Sequence, residues 1–264
     1  MDESKVVHSP VIASLTPHSA TTRFGLIALS TDLTSEGDCF RLMPSEGTAV
    51  HVARVANENP TTPENLRKMA PRLTATAALL APVGPLKAIC YSCTSASVEI
   101  GDEQVEAAIA AGCPTDAVIT PTRAARLAFA ALGARRIAIL TPYTIETSRP
   151  MAEYFANNGL DVLQLQCFGI EDDRDMARVT VDSIVEAACA ADHPDAEALF
   201  LSCTALPAIG AVAAVERRTG KPVVTSNQAT AWAMAALAGM VDRCPPGFGR
   251  LFGVVPETLR ARAS

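Results

Sequence analysis

From residue 24 onward the chain alternates short, nearly continuous apolar runs with longer stretches whose apolar residues recur at helical spacing. The runs at 24–30, 49–55, 86–92, 117–120, 136–141, 161–168, 196–202 and 222–225 predict strands. Ala- and Leu-rich segments at 62–80, 99–111, 122–132, 145–158, 181–192 and 229–240 predict the helices between them. A strand apolar on both sides is covered on both faces, and strands separated by helices run parallel. The fold class is therefore α/β, with parallel sheets carrying helices on both faces. Residues 1–20 mix Pro, His and polar residues without a period and predict a mobile leader.

The pattern also repeats. An apolar run followed by Ser92-Cys93-Thr94 returns as an apolar run followed by Ser202-Cys203-Thr204, 110 residues later. The same offset carries Ile27 onto Ile137, and an offset of 105 relates Val118-Ile-Thr to Val223-Val-Thr. Three echoes in one chain order, at a period too long for a solenoid, predict two pseudo-symmetric lobes with the active site in the cleft between them. The expected division is 21–118 plus 222–264 for the first lobe and 119–221 for the second.

Composition narrows the function. The chain has 264 residues, 49% hydrophobic, with 22 basic against 28 acidic residues and a net charge of -6. That balance speaks against nucleic acid and against a basic membrane-surface helix as partners. The longest apolar stretch, 231–241, is too short to span a bilayer, and the acidic start MDESK does not read as a signal peptide. The expectation is a soluble cytoplasmic protein acting on a small molecule. In that setting the 8 cysteines are expected to be free thiols rather than a disulfide framework.

Both Ser-Cys-Thr motifs sit where an apolar strand gives way to polar, turn-forming residues. Ligands of open parallel sheets bind at the carboxyl ends of the strands. A cysteine there, at the start of the next helix, is expected to have its thiolate favoured by free N–H groups and the helix dipole. Thr94, Ser95 and Thr204 are candidate donors to a substrate carboxylate. Two thiols approaching one carbon from opposite sides suit stereochemical inversion, one taking a proton and the other giving one. They equally suit addition of a thiolate to an alkene, rotation and elimination. The plain alternative is that both are inert core cysteines.

The run 93–101, Cys-Thr-Ser-Ala-Ser-Val-Glu-Ile-Gly, resembles the first cysteine motif of the superfamily containing maleate cis-trans isomerases, arylmalonate decarboxylases and aspartate/glutamate racemases. Ser202-Cys203-Thr204-Ala205-Leu206 is similar to the second. Gly25-Leu-Ile-Ala-Leu, Thr141-Pro142-Tyr143, the segment 168–173 and the segment 224–228 follow in the same order, so the resemblance covers about 22–252. Within the group the chain looks most like the ectoine-utilisation branch of racemase-like proteins. The resemblance implies an isomerase without metal or other cofactor, Cys93 and Cys203 as its working pair, a second lobe inserted into the first, and a homodimer or larger homo-oligomer. It implies substrate contacts for Tyr143 and for Asp32 and Asp173, which stand where maleate isomerases carry asparagine. Two carboxylates repel a second substrate carboxylate and welcome an ammonium, which favours an amino acid over maleate. Plainer roles are a helix cap for Asp32, a solvated acidic loop for Asp173 and a rim position for Tyr143.

The readings carried forward are an amino-acid racemase or epimerase, a maleate-type cis-trans isomerase with Cys93 as nucleophile, and a non-catalytic metabolite-binding protein. Cys90-Tyr-Ser-Cys93 is not read as a redox pair. Along a strand the two Cα atoms stand roughly 10 Å apart, beyond disulfide reach. The histidines at 8, 18, 51 and 193 form no metal-binding pattern, and no phosphate-binding glycine loop follows the first strand.

Overall fold

The computed structural model describes residues 7–80 and 84–255. Among the described residues, eight strands form two parallel sheets of four. The first contains β1 (Thr22–Leu29), β2 (Thr48–Val55), β3 (Ala88–Ser92) and β4 (Val118–Ile119), in the order β2-β1-β3-β4. The second contains β5 (Arg136–Thr141), β6 (Asp161–Cys167), β7 (Ala198–Leu201) and β8 (Val223–Thr225), in the order β6-β5-β7-β8. The two orders are the same permutation, so the repeated motifs occupy matching places. Cys93 follows β3 and Cys203 follows β7, each an inner strand beside the point where the strand order reverses, where doubly wound sheets bind ligands.

The helices are α1 (Ser35–Leu42), α2 (Pro63–Arg67), α3 (Leu73–Ala77), α4 (Thr94–Ile100), α5 (Asp102–Gly112), α6 (Pro121–Leu132), α7 (Ile145–Asn157), α8 (Asp173–Met176), α9 (Val181–Ala190), α10 (Val212–Thr219) and α11 (Ser226–Leu237). Two predicted helices are broken. The 62–80 segment splits into α2, a 3-10 turn containing Pro71, and α3, because proline cannot donate to the preceding turn. The 99–111 segment instead begins at Thr94 and breaks at Gly101, whose φ of 94° only glycine adopts freely. The earlier start places Cys93 at the helix N-cap.

The expected lobe boundary also needs correction. Residues 222–264 were assigned to the first lobe, yet β8 pairs in parallel with β7 in the second sheet. It is α11, which follows β8, that crosses back to pack on α1, β3 and β4, and after it Arg243 donates to the Glu46 carbonyl and Phe248 lies under Arg41. Its counterpart α6 follows β4 of the first sheet and crosses the other way. There Phe129 of α6 meets Phe155 of α7 and Phe200 of β7 edge-to-face, with ring centroids 6.3 and 6.1 Å apart. The lobes thus exchange one helix each, α6 packs against α11, and one large core spans both sheets. A second, smaller core lies between the outer face of the first sheet and α2, α3 and α5. Residues 7–17 of the expected leader are exposed, and 18–20 form a single 3-10 turn. Residues 1–6 of that leader and 256–264 of the assigned lobe lie outside the described residues. No described helix is long and apolar enough to cross a membrane.

Candidate active site

The loops after β1, β3, β5 and β7 converge at the carboxyl ends of the two sheets. Alternation along β3 turns Ala88 and Cys90 into the shared core and Ile89, Tyr91 and Cys93 toward the smaller one. Cys90 is therefore a core residue, as expected. Cys93 has an extended backbone (φ -153°, ψ 108°), and its carbonyl accepts the Ser97 N–H at 3.1 Å and the Ser97 hydroxyl at 2.7 Å. Its sulfur lies 3.8 Å from the Ser95 hydroxyl. Cys203 adjoins the shared core instead, and its φ of 99° makes it the one non-glycine with positive φ among the described residues.

Although they border different cores, both thiols are electrostatically coupled to Tyr143 and Asp173. Burial raises the pKa of Tyr143, which follows β5, with Cys203 and Cys93 adding to the rise and the Ser95 hydroxyl opposing it. Asp173, the first residue of α8, pushes both thiol pKa values upward. The Cys93 turn bonds the Cys203 turn through Ser226 and through Thr204, and Met176 of α8, the helix that Asp173 begins, lies 3.9 Å from the Cys203 sulfur. Tyr143 is 1% exposed, so it is an interior group and not a rim tyrosine. Asp173 is 4% exposed, and its carboxylate accepts the Thr31 hydroxyl at 2.8 Å. Its neighbours Asp172 and Asp175 face outward and pair with Arg174 and Arg178, so the solvated-loop reading holds for them and fails for Asp173.

Three expectations change on inspection. Thiolates stabilised at helix N-termini are not what the closed site contains. Burial pushes the Cys93 thiol up to about 12, against the Ala96 N–H and the Ser95 hydroxyl, while Asp173 and Asp32 add to the rise. Burial likewise raises the Cys203 thiol well above its ordinary value, with Asp173 adding and the Tyr143 hydroxyl and the Ala205 and Leu206 N–H groups opposing. A few N–H groups do not replace the hydration a thiolate loses in a site this dry. Nor does an α-helix follow Cys203 directly; bends and the 3-10 turn Ala208–Gly210 intervene before α10.

The second change concerns the threonines. The Thr94 hydroxyl donates to Ser226 Oγ at 2.8 Å, and the Thr204 hydroxyl to the Ser92 carbonyl at 3.1 Å. Both are spent on bonds between the halves, which leaves Ser95 as the predicted hydroxyl donor facing the thiols. Third, Asp32 is a cap. One oxygen accepts the Thr34 and Ser35 N–H groups at 2.7 and 2.8 Å, and the other accepts the Ser35 hydroxyl. Burial still raises its pKa, while the Ser35 hydroxyl and the two N–H groups, with Arg54 beyond, pull it down. Little acceptor capacity is left for a substrate ammonium.

Sequence reasoning missed the groups that hold these residues. Thr31 binds Asp173, Asn59 accepts the Asp173 N–H at 3.3 Å, and Ser226 binds both cysteine turns. Ser226 lies inside the 224–228 motif, and Thr31 adjoins Asp32, so position was the available signal. Overhead, the loop after β2 meets the loop after β6: Thr61 N–H donates to the Glu171 carbonyl at 2.9 Å, and Thr147 donates to the Thr61 carbonyl at 2.9 Å. Among the described residues no set of three His, Cys, Asp or Glu side chains is arranged to hold a metal ion. A larger cavity, about 950 Å³, runs along α6 past Arg123, Arg126 and Arg135. It contains none of these groups and lies at the amino ends of β5 and β6, away from the carboxyl ends that carry the cysteines.

Residues 57–252 match the family model described as arylmalonate decarboxylase. A 124-residue segment, 46% of this chain, is 37% identical to the arylmalonate decarboxylase of Bordetella bronchiseptica and spans only about half, 52%, of that protein. Over 241 residues, covering 87% of this chain and 94% of the relative, it is 26% identical to a maleate isomerase of Nocardia farcinica. The crystal structure of the maleate isomerase Iso from Pseudomonas putida S16 superposes with a TM-score of 0.79 at 25% identity, covering 88% of this chain and 98% of that one. The grouping expected from the two cysteine motifs is the one these matches return. With a family match that takes in both cysteine turns, Tyr143 and Asp173, the chain belongs to the arylmalonate decarboxylase family.

Proposed function

We propose that this protein is a cofactor-independent isomerase of a small carboxylic acid, with Cys93 and Cys203 working from opposite sides of the substrate. The observation that supports the reading is that the two buried cysteine turns, one from each half, are bonded to each other through Ser226 and through the Thr204 hydroxyl on the Ser92 carbonyl. As a racemase or epimerase, one cysteine as thiolate takes the Cα proton and the other gives its S–H proton to the opposite face. The carbanion's charge passes into the substrate carboxylate, met by Ser95 and the N–H groups of the two turns. Both thiols rest protonated, so one must first lose a proton. Asp173, with its carboxyl pushed up to about 6 chiefly by burial, is the base we propose to accept it.

Asp173 also supports an amino acid as substrate, because an ionised carboxylate there attracts an ammonium and repels a second carboxylate. Asp32 adds less to this than the sequence implied, since its oxygens cap α1. An amino acid from ectoine breakdown is the finer reading; it rests on the sequence resemblance alone. The maleate isomerase relatives favour a second reading. In it the Cys93 thiolate adds to one alkene carbon, Cys203 protonates the other, the C–C bond rotates, and loss of that proton expels Cys93.

Mass spectrometry after incubation in deuterated water separates the two. Racemisation predicts solvent deuterium at Cα of an amino acid from a screened panel, with no adduct. The maleate route predicts fumarate from maleate and a trapped succinyl adduct on Cys93 in Cys203→Ser. Turnover of neither class, or full turnover by both Cys93→Ser and Cys203→Ser, would defeat the proposal.

A further inference from the structure

We infer that Ser226 is a positioning residue that holds the two cysteine-bearing turns in register. It is completely buried at the first position of α11, the helix that crosses from the second sheet to the first. Its place is fixed by the capping box just before it. Thr225 Oγ1 accepts the Gln228 N–H at 3.1 Å, and Gln228 Oε1 accepts the Thr225 N–H at 3.0 Å. On this anchored residue one oxygen receives two donors from different halves of the molecule. The Cys203 N–H donates to Ser226 Oγ at 3.0 Å, and the Thr94 hydroxyl donates to the same atom at 2.8 Å.

A hydroxyl oxygen has two lone pairs, and both are engaged here. One bond acts directly on Cys203, whose backbone is held at φ 99°. A non-glycine residue keeps such a conformation only where its surroundings over-determine it. The other bond reaches Thr94, the residue after Cys93. A reciprocal bond runs the opposite way, from the Thr204 hydroxyl to the carbonyl of Ser92, the residue before Cys93. Each threonine that follows a cysteine therefore reaches across to the other half. The Thr204 link is direct, whereas the Thr94 link reaches the Cys203 turn through Ser226.

Ser226 touches neither reacting atom in the proposed reaction, so its effect is on where the Cys203 thiol points. Replacing it with alanine leaves two buried donors without an acceptor and removes the backbone restraint. The Cys203 turn then relaxes from positive φ, and its thiol leaves Met176. The inference rests on the proposed function only where turnover is measured. Thiol labelling tests it whether or not the substrate class is correct.

The experiment is iodoacetamide labelling of the folded full-length protein, followed by peptide mass spectrometry that times each cysteine separately. Ser226→Ala is expected to label Cys203 about 5-fold faster or more, with core Cys90 as slow as in the unmodified protein. Where turnover is found, kcat is expected to fall about 10-fold or more with KM within about 2-fold, since misplacement of a reacting group acts on the chemical step. Ser226→Thr, which keeps the oxygen, is expected to restore both. Should Ser226→Ala fold poorly, Thr94→Val removes one donor and leaves the oxygen in place. It is expected to speed labelling at Cys203, in the opposite half, as well as at Cys93. Unchanged Cys203 labelling in Ser226→Ala, equal acceleration at Cys90, failure of folded Ser226→Thr to restore the rate, or a Thr94→Val effect confined to Cys93 would each overturn the inference.

Discussion

At the residue scale, the buried carboxyl of Asp173 decides much of the electrostatics. Burial lifts its folded pKa from 3.8 to about 6, the Thr31 hydroxyl lowers it, and Asp32 and Asp172 raise it. The fold therefore favours the protonated form. The associated stability is fully present below pH 3.8 and is lost as pH rises through about 6, up to ~3 kcal/mol for a shift of this size. Asp173→Asn removes this titration. The variant is expected to gain stability relative to the unmodified protein between pH 4.5 and 7.5, as urea denaturation at both pH values would show. A constant difference would contradict the assignment. Asp38, also pushed up to about 6 by burial, leaves a residual slope of the same sign in both proteins. The two cysteines were legible because a repeated motif marks them. The inward turn of Asp173 was not, because its position in the four-residue helix α8, facing Thr31 of the other lobe, selects it from four neighbouring acids. The spent hydroxyls of Thr94 and Thr204 were equally hidden, since their partners lie 132 and 112 residues away.

At the element scale, apolar runs locate the eight described strands; six are buried on both faces, which leaves an unbroken signature, while the edge strands β2 and β6 are half-buried and more alternating. Helix boundaries were less legible, since apolar spacing persists through Pro71 and Gly101 while the backbone does not. Local backbone demands also explain Gly112, the last residue of α5. A Cβ there would stand 2.2 Å from the Thr74 carbonyl oxygen of α3 and 2.9 Å from Ala77 Cβ. Backbone cannot yield as a side-chain tip does, so Gly112→Ala is expected to separate α3 from α5 at a cost of about 1–3 kcal/mol. A urea midpoint indistinguishable from that of the unmodified protein would show that the two helices do not pack as described.

At the scale of the whole molecule, two copies of one strand order exchange a helix each and bring their matching turns together. The doubling was readable from the repeat. The exchange was not, because the destinations of α6 and α11 depend on which sheet each helix covers and leave no mark in local periodicity. Hence β8 was expected in the first lobe and pairs in the second. The exchange also ties the site to the architecture, since α11 begins at the residue that receives Cys203 and Thr94. The proposed function requires two thiols, one from each half, to reach one small substrate. Treatment of the folded protein with the short bis-alkylating reagent 1,3-dibromoacetone, followed by peptide mass spectrometry, tests this without knowledge of the substrate. A cross-linked peptide pair joining Cys93 to Cys203 is the predicted product; single alkylation of both cysteines with no such pair would contradict the account.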